Sequence, residues 1–203
     1  MPTIAVLDYG SGNLHSVSRA IARVGGNPLI TGDDSLIASA DALVIPGVGH
    51  FGACMRALCH HGLDETIRAF CANGRPVFGV CVGMQILFEG SEEDAEAGLG
   101  VFGGSCLKLP DDVKVPHMGW DTVTWTDPHP YVAGMPDGTR YYFVHSYAPP
   151  VDETATVGVN DYGRASSAAV SRSNVFATQF HPEKSGDAGL QLYERFVKDV
   201  AAR

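Results

Sequence analysis

Basic residues, long apolar runs and paired cysteines are all scarce in this 203-residue chain. It has 14 Lys and Arg against 23 Asp and Glu, and the resulting net charge of −9 argues against a nucleic-acid-binding protein. No segment approaches the ~20 apolar residues that are needed to cross a bilayer. The apolar run Thr3–Leu7 ends at Asp8 and is too short for a secretory signal peptide. We therefore expect a cytoplasmic protein that binds neither membranes nor nucleic acids.

The cysteine and histidine patterns predict reduced thiols and no metal site. None of the five cysteines forms a CxxC pair, and the eight histidines form no cluster of the kind that binds zinc. Cys54, Cys59 and Cys71 fall in segments with a helical pattern, so we expect them to be small packing residues. With 45% hydrophobic and 18% charged residues, the chain has an ordinary globular composition and the length of a single domain, 1–203.

Strand and helix patterns alternate through the first half of the chain. Buried strands are predicted at 3–7, 42–45 and 76–80, with helices at 14–24, 53–58, 64–72 and 82–88. The second half predicts short strands at 122–125, 140–144, 154–159, 165–171 and 175–180, and then a helix at 189–201. This order predicts an α/β fold with a mainly parallel central sheet flanked by helices, and with additional antiparallel strands in the second half.

The segment Gly79-Val80-Cys81-Val82-Gly83 puts a cysteine at the turn between a predicted strand and a predicted helix. At such a nucleophile elbow the side chain stands out of the sheet, and the nearby glycines let the backbones approach closely. The N-terminus of the following helix favours the thiolate, which is the form that attacks carbon. Cys81 is therefore a candidate nucleophile, although a buried cysteine packed between two glycines would give the same pattern.

The tripeptide His181-Pro182-Glu183 directly follows the predicted strand at 175–180. A nucleophilic cysteine needs an imidazole to exchange its proton, and the imidazole needs a third group that fixes its tautomer and orientation. A carboxylate two residues beyond the histidine can supply that third group. The tripeptide alone is weak evidence, because a surface loop could carry it. Paired with an elbow cysteine 100 residues earlier (181 minus 81), it predicts a Cys81, His181, Glu183 triad.

Together with four further motifs, these segments resemble the class I, or triad-type, glutamine amidotransferases, which have a flavodoxin-like fold. The resemblance covers nearly the whole chain through DYGSGN (8–13), PGVGHFG (46–52), GVCVGMQ (79–85), PHMGW (116–120), FVHSYA (143–148) and QFHPEKS (179–185). The elbow and the HPE segment identify only the chemistry, whereas the other motifs point to one member of the family. Asp121 departs from the pattern, which has asparagine after Trp120.

The resemblance implies a glutaminase that hydrolyses L-glutamine through the triad and a thioester intermediate, without a cofactor. The backbone N–H groups of Val48 and Val82 are the implied oxyanion donors. The implied substrate-binding residues are Gly49, Gln85, Glu93, His145, Ser146 and Tyr147. Gln85 lies one helical turn past Cys81, so it can face the same pocket; the alternative is an ordinary helix-surface glutamine. Only the resemblance distinguishes Glu93 within the acidic stretch 89–96, which otherwise indicates a solvated loop.

No acceptor site for ammonia is visible in the sequence. The resemblance implies a heterodimer with a separate (β/α)₈-barrel cyclase subunit that consumes the ammonia. The implied contact residues around the tunnel mouth are Asn13, Met118, Trp120, Tyr142 and Lys184. Trp120 and Tyr142 could equally be core aromatics, because aromatic residues are common in both settings.

Two glycine-rich segments follow predicted strands, but neither predicts a nucleotide site. Gly10-Ser11-Gly12 lacks the third glycine of the dinucleotide fingerprint, because position 15 is His15. Pro46-Gly47-Val48-Gly49 lacks the lysine and hydroxyl of a phosphate loop. A peptide beside Gly47 can rotate at low steric cost, so this segment is a candidate latch that turns the Val48 N–H into or out of the site. The alternative is a pre-formed tight turn.

Three other functions remain open. Another amidotransferase of the same class could serve a pyridoxal, purine, pyrimidine or anthranilate pathway, which a test of acceptors with added partner subunits would decide. A cysteine peptidase or a peptidase-like stress protein would need neither Gln85 nor the HPE segment, and a casein assay without glutamine tests for it. A non-catalytic binding module is disfavoured by the intact triad.

Overall fold

The computed structural model describes all residues 1–203. Its strands are β1 (Thr3–Leu7), β2 (Asn27–Thr31), β3 (Ala42–Gly47), β4 (Val77–Cys81), β5 (Gly90–Ser91), β6 (Ser105–Lys108), β7 (His117–Trp125), β8 (Thr139–His145), β9 (Tyr147–Ala148), β10 (Thr156–Asp161), β11 (Ala165–Arg172) and β12 (Val175–Thr178). Its helices are α1 (Leu14–Arg23), α2 (Asp34–Ser39), α3 (Phe51–His60), α4 (Leu63–Ala72), α5 (Val82–Gln85) and α6 (Gly186–Ala202). A 3-10 turn covers Pro182–Lys184.

One nine-stranded sheet organises the molecule, in the order β2-β1-β3-β4-β12-β11-β10-β7-β8. Neighbouring strands from β2 to β12 run parallel, and those from β12 to β8 run antiparallel. The parallel strands of the first half are joined through helices, as parallel pairing requires. The predicted α/β fold class, with antiparallel strands added by the second half, is confirmed. A small second sheet joins β5, β6 and β9.

The sequence patterns missed β2 and α2, which lie between the first two predicted strands. β2 is an edge strand that carries Pro28 and is mostly half-buried, so it lacks the continuous apolar run of a central parallel strand. α2 has only six residues, and the Asp33 side chain caps it by accepting hydrogen bonds from the N–H groups of Ser35 and Leu36. Both elements are too short for the apolar periodicity to reveal them.

Helix α5 is shorter than the predicted helix at 82–88, because it ends at Gln85. Carbonyl oxygens that would continue the helix accept instead from a later loop: Ile86 O from Leu99 N–H, and Leu87 O from Phe102 N–H. A four-residue helix sums few peptide dipoles, so it stabilises a thiolate at its N-terminus only weakly. The predicted extent of this helix, 82–88, is therefore wrong, and the effect of its N-terminus on the thiolate stays a prediction.

Other expectations need smaller corrections. β7 begins at His117, five residues before the predicted start at 122, so PHMGW lies largely in this strand. β12 ends at Thr178, two residues before the predicted end. Of the three cysteines expected to be packing residues, Cys54 is buried and Cys71 is half-buried, but Cys59 is exposed.

The apolar core is one cluster of 53 buried residues. At its centre the ring of Phe78 on β4 lies 5.2 Å from the ring of Phe176 on β12 and 5.3 and 5.4 Å from Tyr193 and Phe196 on α6. Through these aromatic contacts α6 packs against β4, whose Phe78 also contacts β12. No helix combines the length and the apolar character that a membrane crossing requires. The single domain and the cytoplasmic location stay predictions.

Candidate active site

Three neighbouring parallel strands end at one edge of the sheet and bring distant segments together. Gly47 at the end of β3 lies opposite Cys81 at the end of β4. On the other side of β4, Thr178 at the end of β12 lies opposite the residue before Cys81. Gln179 therefore comes level with Cys81, and His181 follows two residues later. The carboxyl ends of parallel strands are where α/β sheets bind ligands.

Cys81 occupies the strained turn that a nucleophile elbow requires. Its φ of 55° and ψ of −112° are unusual for a residue other than glycine. The flanking glycines are required by close packing: a Cβ at Gly83 would overlap the carbonyl oxygen of Ile45, and one at Gly79 would lie 2.8 Å from the carbonyl oxygen of Gly83. The elbow therefore requires glycine at both positions, because a larger side chain would collide with the neighbouring backbone.

His181 and Glu183 form a buried pair beside Cys81. Nδ1 of His181 lies 2.8 Å from Oε1 of Glu183, and the two side chains are 1% and 0% exposed. Burial lowers the pKa of His181, but Cys81 and Glu183 together raise it by more, so the net shift is upward. Nε2 of His181 has no hydrogen-bond partner, and the residue lines the same cleft as Cys81. With Nδ1 committed to Glu183, Nε2 is the nitrogen available to Cys81 and to substrate.

Asn13 contacts the pair from behind. Its Nδ2 donates to Oε1 of Glu183 at 3.2 Å, so its amide does not cap α1, which begins at the next residue. The family resemblance implies only a partner contact for Asn13, whereas the structure shows a hydrogen bond to Glu183 as well. No sequence signal connects residues 170 positions apart. Asn13 thus fixes the oxygen of Glu183 that also faces His181.

A cleft of about 260 Å³ opens above Cys81. It is lined by every predicted catalytic, oxyanion and substrate-binding residue except Glu183, namely Val48, Gly49, Cys81, Val82, Gln85, Glu93, His145, Ser146, Tyr147 and His181. Pro116 and Val144 complete the lining. Six separate chain segments therefore converge on one small concave site, as expected of a ligand pocket.

Two polar residues of the cleft are held by the protein itself. Gln85 is buried, and its Nε2 donates to the carbonyl oxygen of Tyr147 at 2.8 Å and to Oε1 of Gln179 at 3.1 Å. Oε2 of Glu93 accepts from the N–H of Phe51, at the first turn of α3, at 2.7 Å. Gln85 is therefore not a helix-surface residue, and Glu93 is not free in solvent.

The segment that carries Val48 is hydrogen-bonded to the loop that follows β1. The Ser11 hydroxyl donates to the carbonyl oxygen of Val48 at 2.7 Å, and the Val48 N–H donates to Ser11 Oγ at 3.4 Å. The Tyr9 hydroxyl donates to the carbonyl oxygen of Pro46 at 2.9 Å. Gly49 has a φ of 95°, which favours glycine. Since Ser11 does not line the cleft, the Val48 N–H in this conformation is engaged away from the cleft.

Four of the five predicted contact residues form a surface patch, in which Tyr142 is half-buried and the other three are exposed. Met118 and Trp120 on β7 are 62% and 51% exposed. Tyr142, opposite Trp120 on β8, contacts it edge-on with ring centroids 6.3 Å apart. The ammonium group of Lys184 lies 5.7 Å from the centre of the Tyr142 ring. Trp120 is therefore not a core aromatic.

Asp121 points away from this patch. Its carboxylate lies 3.2 Å from Nε2 of His117 and accepts from Nδ2 of Asn160 at 2.9 Å. Successive residues of a strand face opposite sides, which separates Asp121 from Trp120. The departure from the family pattern at this position thus affects contacts within the chain.

The remaining cysteines have unreactive surroundings or lie outside the cleft. Burial raises the pKa of the Cys71 thiol to about 11, and it also raises the pKa values of Cys54 and Cys106. Cys59 is exposed on α3. No group of three or more His, Cys, Asp or Glu side chains is placed to hold a metal ion.

Comparison with known proteins agrees with this geometry. The glutamine amidotransferase class-I family model matches residues 5–200. Imidazole glycerol phosphate synthase subunit HisH of Chromobacterium violaceum is 46% identical over 205 residues, covering 96% of each chain. The HisH subunit of Acinetobacter baylyi is 46% identical over 203 residues, covering 98% of each.

Solved structures share the fold at lower identity. A putative GMP synthase protein from Thermoplasma acidophilum superposes with a TM-score of 0.75 at 20% identity, covering 100% of this chain and 95% of that one. A PurLQS structure from Thermotoga maritima gives a TM-score of 0.77 at 19% identity, covering 98% of each chain. These structures bear on the fold alone.

Proposed function

Because the chain belongs to the class-I glutamine amidotransferase family, we propose that it is the glutaminase subunit of imidazole glycerol phosphate synthase, an enzyme of histidine biosynthesis. The observation that carries this proposal is the near-full-length similarity to curated HisH subunits. The solved structures that share the fold have far lower identity, 20% and 19%. As a subunit, the chain works with a partner subunit.

The proposed reaction begins with attack of the Cys81 thiolate on the side-chain amide carbon of glutamine. His181, held through Nδ1 by Glu183, protonates the departing ammonia from Nε2 and then activates water to release glutamate from the thioester. The 2.8 Å contact between His181 and Glu183, and the unpartnered Nε2 in the cleft, support these roles. A raised pKa suits His181 for carrying a proton next to a thiolate.

The proposed oxyanion donors are the N–H groups of Val48 and Val82, two residues that line the cleft together with Cys81. In the proposed resting state the Val48 N–H bonds to Ser11, so one donor is missing. Binding of the partner and its nucleotide would favour the conformation with the N–H turned inward. The isolated chain would then hydrolyse glutamine slowly, because losing one such donor costs about 10²–10³ in rate.

Substrate recognition is proposed for the polar groups that surround the cleft above Cys81. Nε2 of Gln85 is already committed to two protein acceptors, so its oxygen is the atom left to accept from the substrate ammonium. Glu93 can contribute a carboxylate oxygen, because only Oε2 bonds to Phe51. The remaining contacts come from Gly49 and from the segment His145-Ser146-Tyr147.

The partner we propose is a (β/α)₈-barrel cyclase that forms a heterodimer with this chain. It would combine the ammonia with a phosphorylated ribulosyl aminoimidazole-carboxamide nucleotide, giving imidazole glycerol phosphate and an aminoimidazole-carboxamide ribotide. The surface patch of Met118, Trp120, Tyr142 and Lys184 supports a contact surface there, since exposed aromatics are typical anchors of interfaces. Asn13, half-buried against Glu183, borders the triad behind that surface.

The test measures glutamate release by the chain alone, with the cyclase, and with cyclase plus nucleotide. We expect a low rate alone and activation by the partner. Cys81→Ala should abolish glutamine-dependent synthesis but leave synthesis from ammonium salt intact, because only ammonia production needs the thiolate. Cys59→Ala, an exposed cysteine outside the cleft, is the matched control. Glutamine-dependent turnover by Cys81→Ala, or casein cleavage by the unmodified chain, would overturn the proposal.

A further inference from the structure

We propose that Gln179 is a further catalytic residue, whose side-chain amide donates a hydrogen bond to Cys81 Sγ and stabilises the thiolate. The proposal rests on the proposed glutaminase function, since it assigns a role in forming that nucleophile. Nε2 of Gln179 lies 3.9 Å from Sγ of Cys81, and Gln179 is only 1% exposed. The QFHPEKS motif contains Gln179 but gives it no role, and Gln179 is not among the residues that line the cleft.

The orientation of the Gln179 amide follows from a chain of hydrogen bonds. The carbonyl oxygen of Tyr147 can only accept, so Gln85 must turn its NH₂ group toward it. The second hydrogen of that NH₂ group donates to Oε1 of Gln179 at 3.1 Å. With its oxygen occupied, Gln179 presents its own NH₂ group to Cys81. Every link has a fixed direction, and the last one is a donor aimed at sulfur.

A thiolate at this position needs such a donor. Cys81 is 3% exposed, so hydrogen bonds to a thiolate must come from the protein or the substrate rather than from bulk water. The carbonyl oxygen of Val144 lies 3.8 Å from Sγ, where it can accept from the neutral thiol but would repel a thiolate. Helix α5 has four residues and supplies little dipole. Gln179 and the His181 imidazole are therefore the polar side chains on which thiolate stability depends.

The strand register explains how one residue comes to hold this position. β12 pairs in parallel with β4, with Thr178 opposite Val80, so Gln179 is level with Cys81. The backbone N–H of Gln179 donates to the carbonyl oxygen of Ala168 at 2.8 Å, which continues the pairing with β11 beyond the end of β12. Gln179 is thus held by two hydrogen bonds, one at its backbone N–H and one at its side-chain oxygen.

The decisive experiment follows the alkylation of Cys81 by iodoacetamide against pH, without glutamine, and reads each cysteine by peptide mass spectrometry. Gln179→Met keeps the side-chain length but removes the donor. We expect the pH midpoint of Cys81 alkylation to rise by about one unit, which corresponds to a tenfold loss of thiolate below the midpoint. In the activated complex kcat/KM for glutamine should fall about tenfold near neutral pH and recover at higher pH. KM should change little, because Gln179 does not line the cleft.

Gln85→Met supplies a second variant, because it frees the Gln179 amide to rotate without removing it. Its alkylation midpoint should move in the same direction by a smaller amount. Exposed Cys59 in each variant is the internal reference and should keep its wild-type profile.

An unchanged Cys81 midpoint in folded Gln179→Met would overturn the role of Gln179. If that variant does not fold, an unchanged midpoint in Gln85→Met would overturn it instead. A wild-type complex without glutaminase activity would refute the proposed function and would leave the alkylation result standing.

Discussion

The Ser11 hydroxyl should hold the partner-free chain in its resting state, so Ser11→Ala should raise the glutaminase rate of the isolated chain. Ser11 bridges both polar groups of Val48, donating to its carbonyl oxygen at 2.7 Å and accepting from its N–H at 3.4 Å. Turning the Val48 N–H into the cleft breaks the second of these bonds. Without the hydroxyl, the outward conformation loses the hydrogen bond from the Val48 N–H, so the equilibrium shifts toward the inward conformation.

The size of the effect follows from the length of the bond. A net intramolecular hydrogen bond contributes about 0.5–1.5 kcal/mol, and a 3.4 Å bond belongs in the lower half of that range. About 0.5–1 kcal/mol corresponds to a roughly two- to fivefold change in the equilibrium between the two conformations. The rate of the isolated chain should therefore rise by about two- to fivefold.

The assay compares glutamate release by the isolated chain and by the complex saturated with cyclase and nucleotide. In the saturated complex the inward conformation already dominates, so Ser11→Ala should leave that rate nearly unchanged and lower the activation ratio. Ser39→Ala is the matched control, because the Ser39 hydroxyl donates to Leu36 O at 2.9 Å on α2, away from the cleft. An unchanged or reduced rate of the isolated Ser11→Ala chain would refute the latch, as would an equal rise in both assays.

Three further outcomes are expected. His181→Ala should lower glutaminase activity by at least ~10²-fold, and Glu183→Gln should lower it less; steady-state kinetics at saturating glutamine would expose a reversed order. Trp120→Ala should weaken binding of the cyclase by about tenfold or more in calorimetric titration, whereas Thr124→Ala on the same exposed strand face should not. Burial lowers the pKa of His145 to about 3. Below about pH 6.5 the unfolded chain therefore binds a proton at His145 that the folded chain does not bind. The contribution of His145 to the free energy of unfolding should therefore fall by about 1–2 kcal/mol between pH 7.5 and pH 5, measured in urea titrations as the difference between the unmodified chain and His145→Gln. The same pH dependence in both proteins would refute this assignment.

The central strands and the lining of the cleft could be predicted because their signals are local. β1, β3, β4 and β12 are short, mainly apolar runs, and the motifs around Cys81 and His181 lie where β4 and β12 end. The cleft therefore contains the expected residues. Short or amphipathic elements, such as β2 with its Pro28, carry no such signal.

The contacts of Ser11, Asn13 and Gln179 could not be predicted, because each joins residues that are far apart in the sequence. Gln179 meets Cys81 only through the pairing of β12 with β4, and Asn13 meets Glu183 across 170 positions. The pattern of a strand shows which face is buried but not which strand lies next to it. The same limit explains why the sequence predicts a longer α5. The carbonyl groups of Ile86 and Leu87, which follow the helix, accept hydrogen bonds from the N–H groups of Leu99 and Phe102 in a later loop.

The position of β12 has a consequence for how the chain is made. β12 lies in the middle of the sheet, between β4 and β11, although it is the last strand to be synthesised. A ribosome that has produced Cys81 must add another hundred residues before His181 exists, so the growing chain carries a cysteine without its base and cannot turn over glutamine. During that interval one side of β4 has no neighbour, and an apolar strand with open N–H and C=O groups can pair with other chains. The nascent protein is thus protected from premature ammonia release by the same topology that exposes it to misassembly.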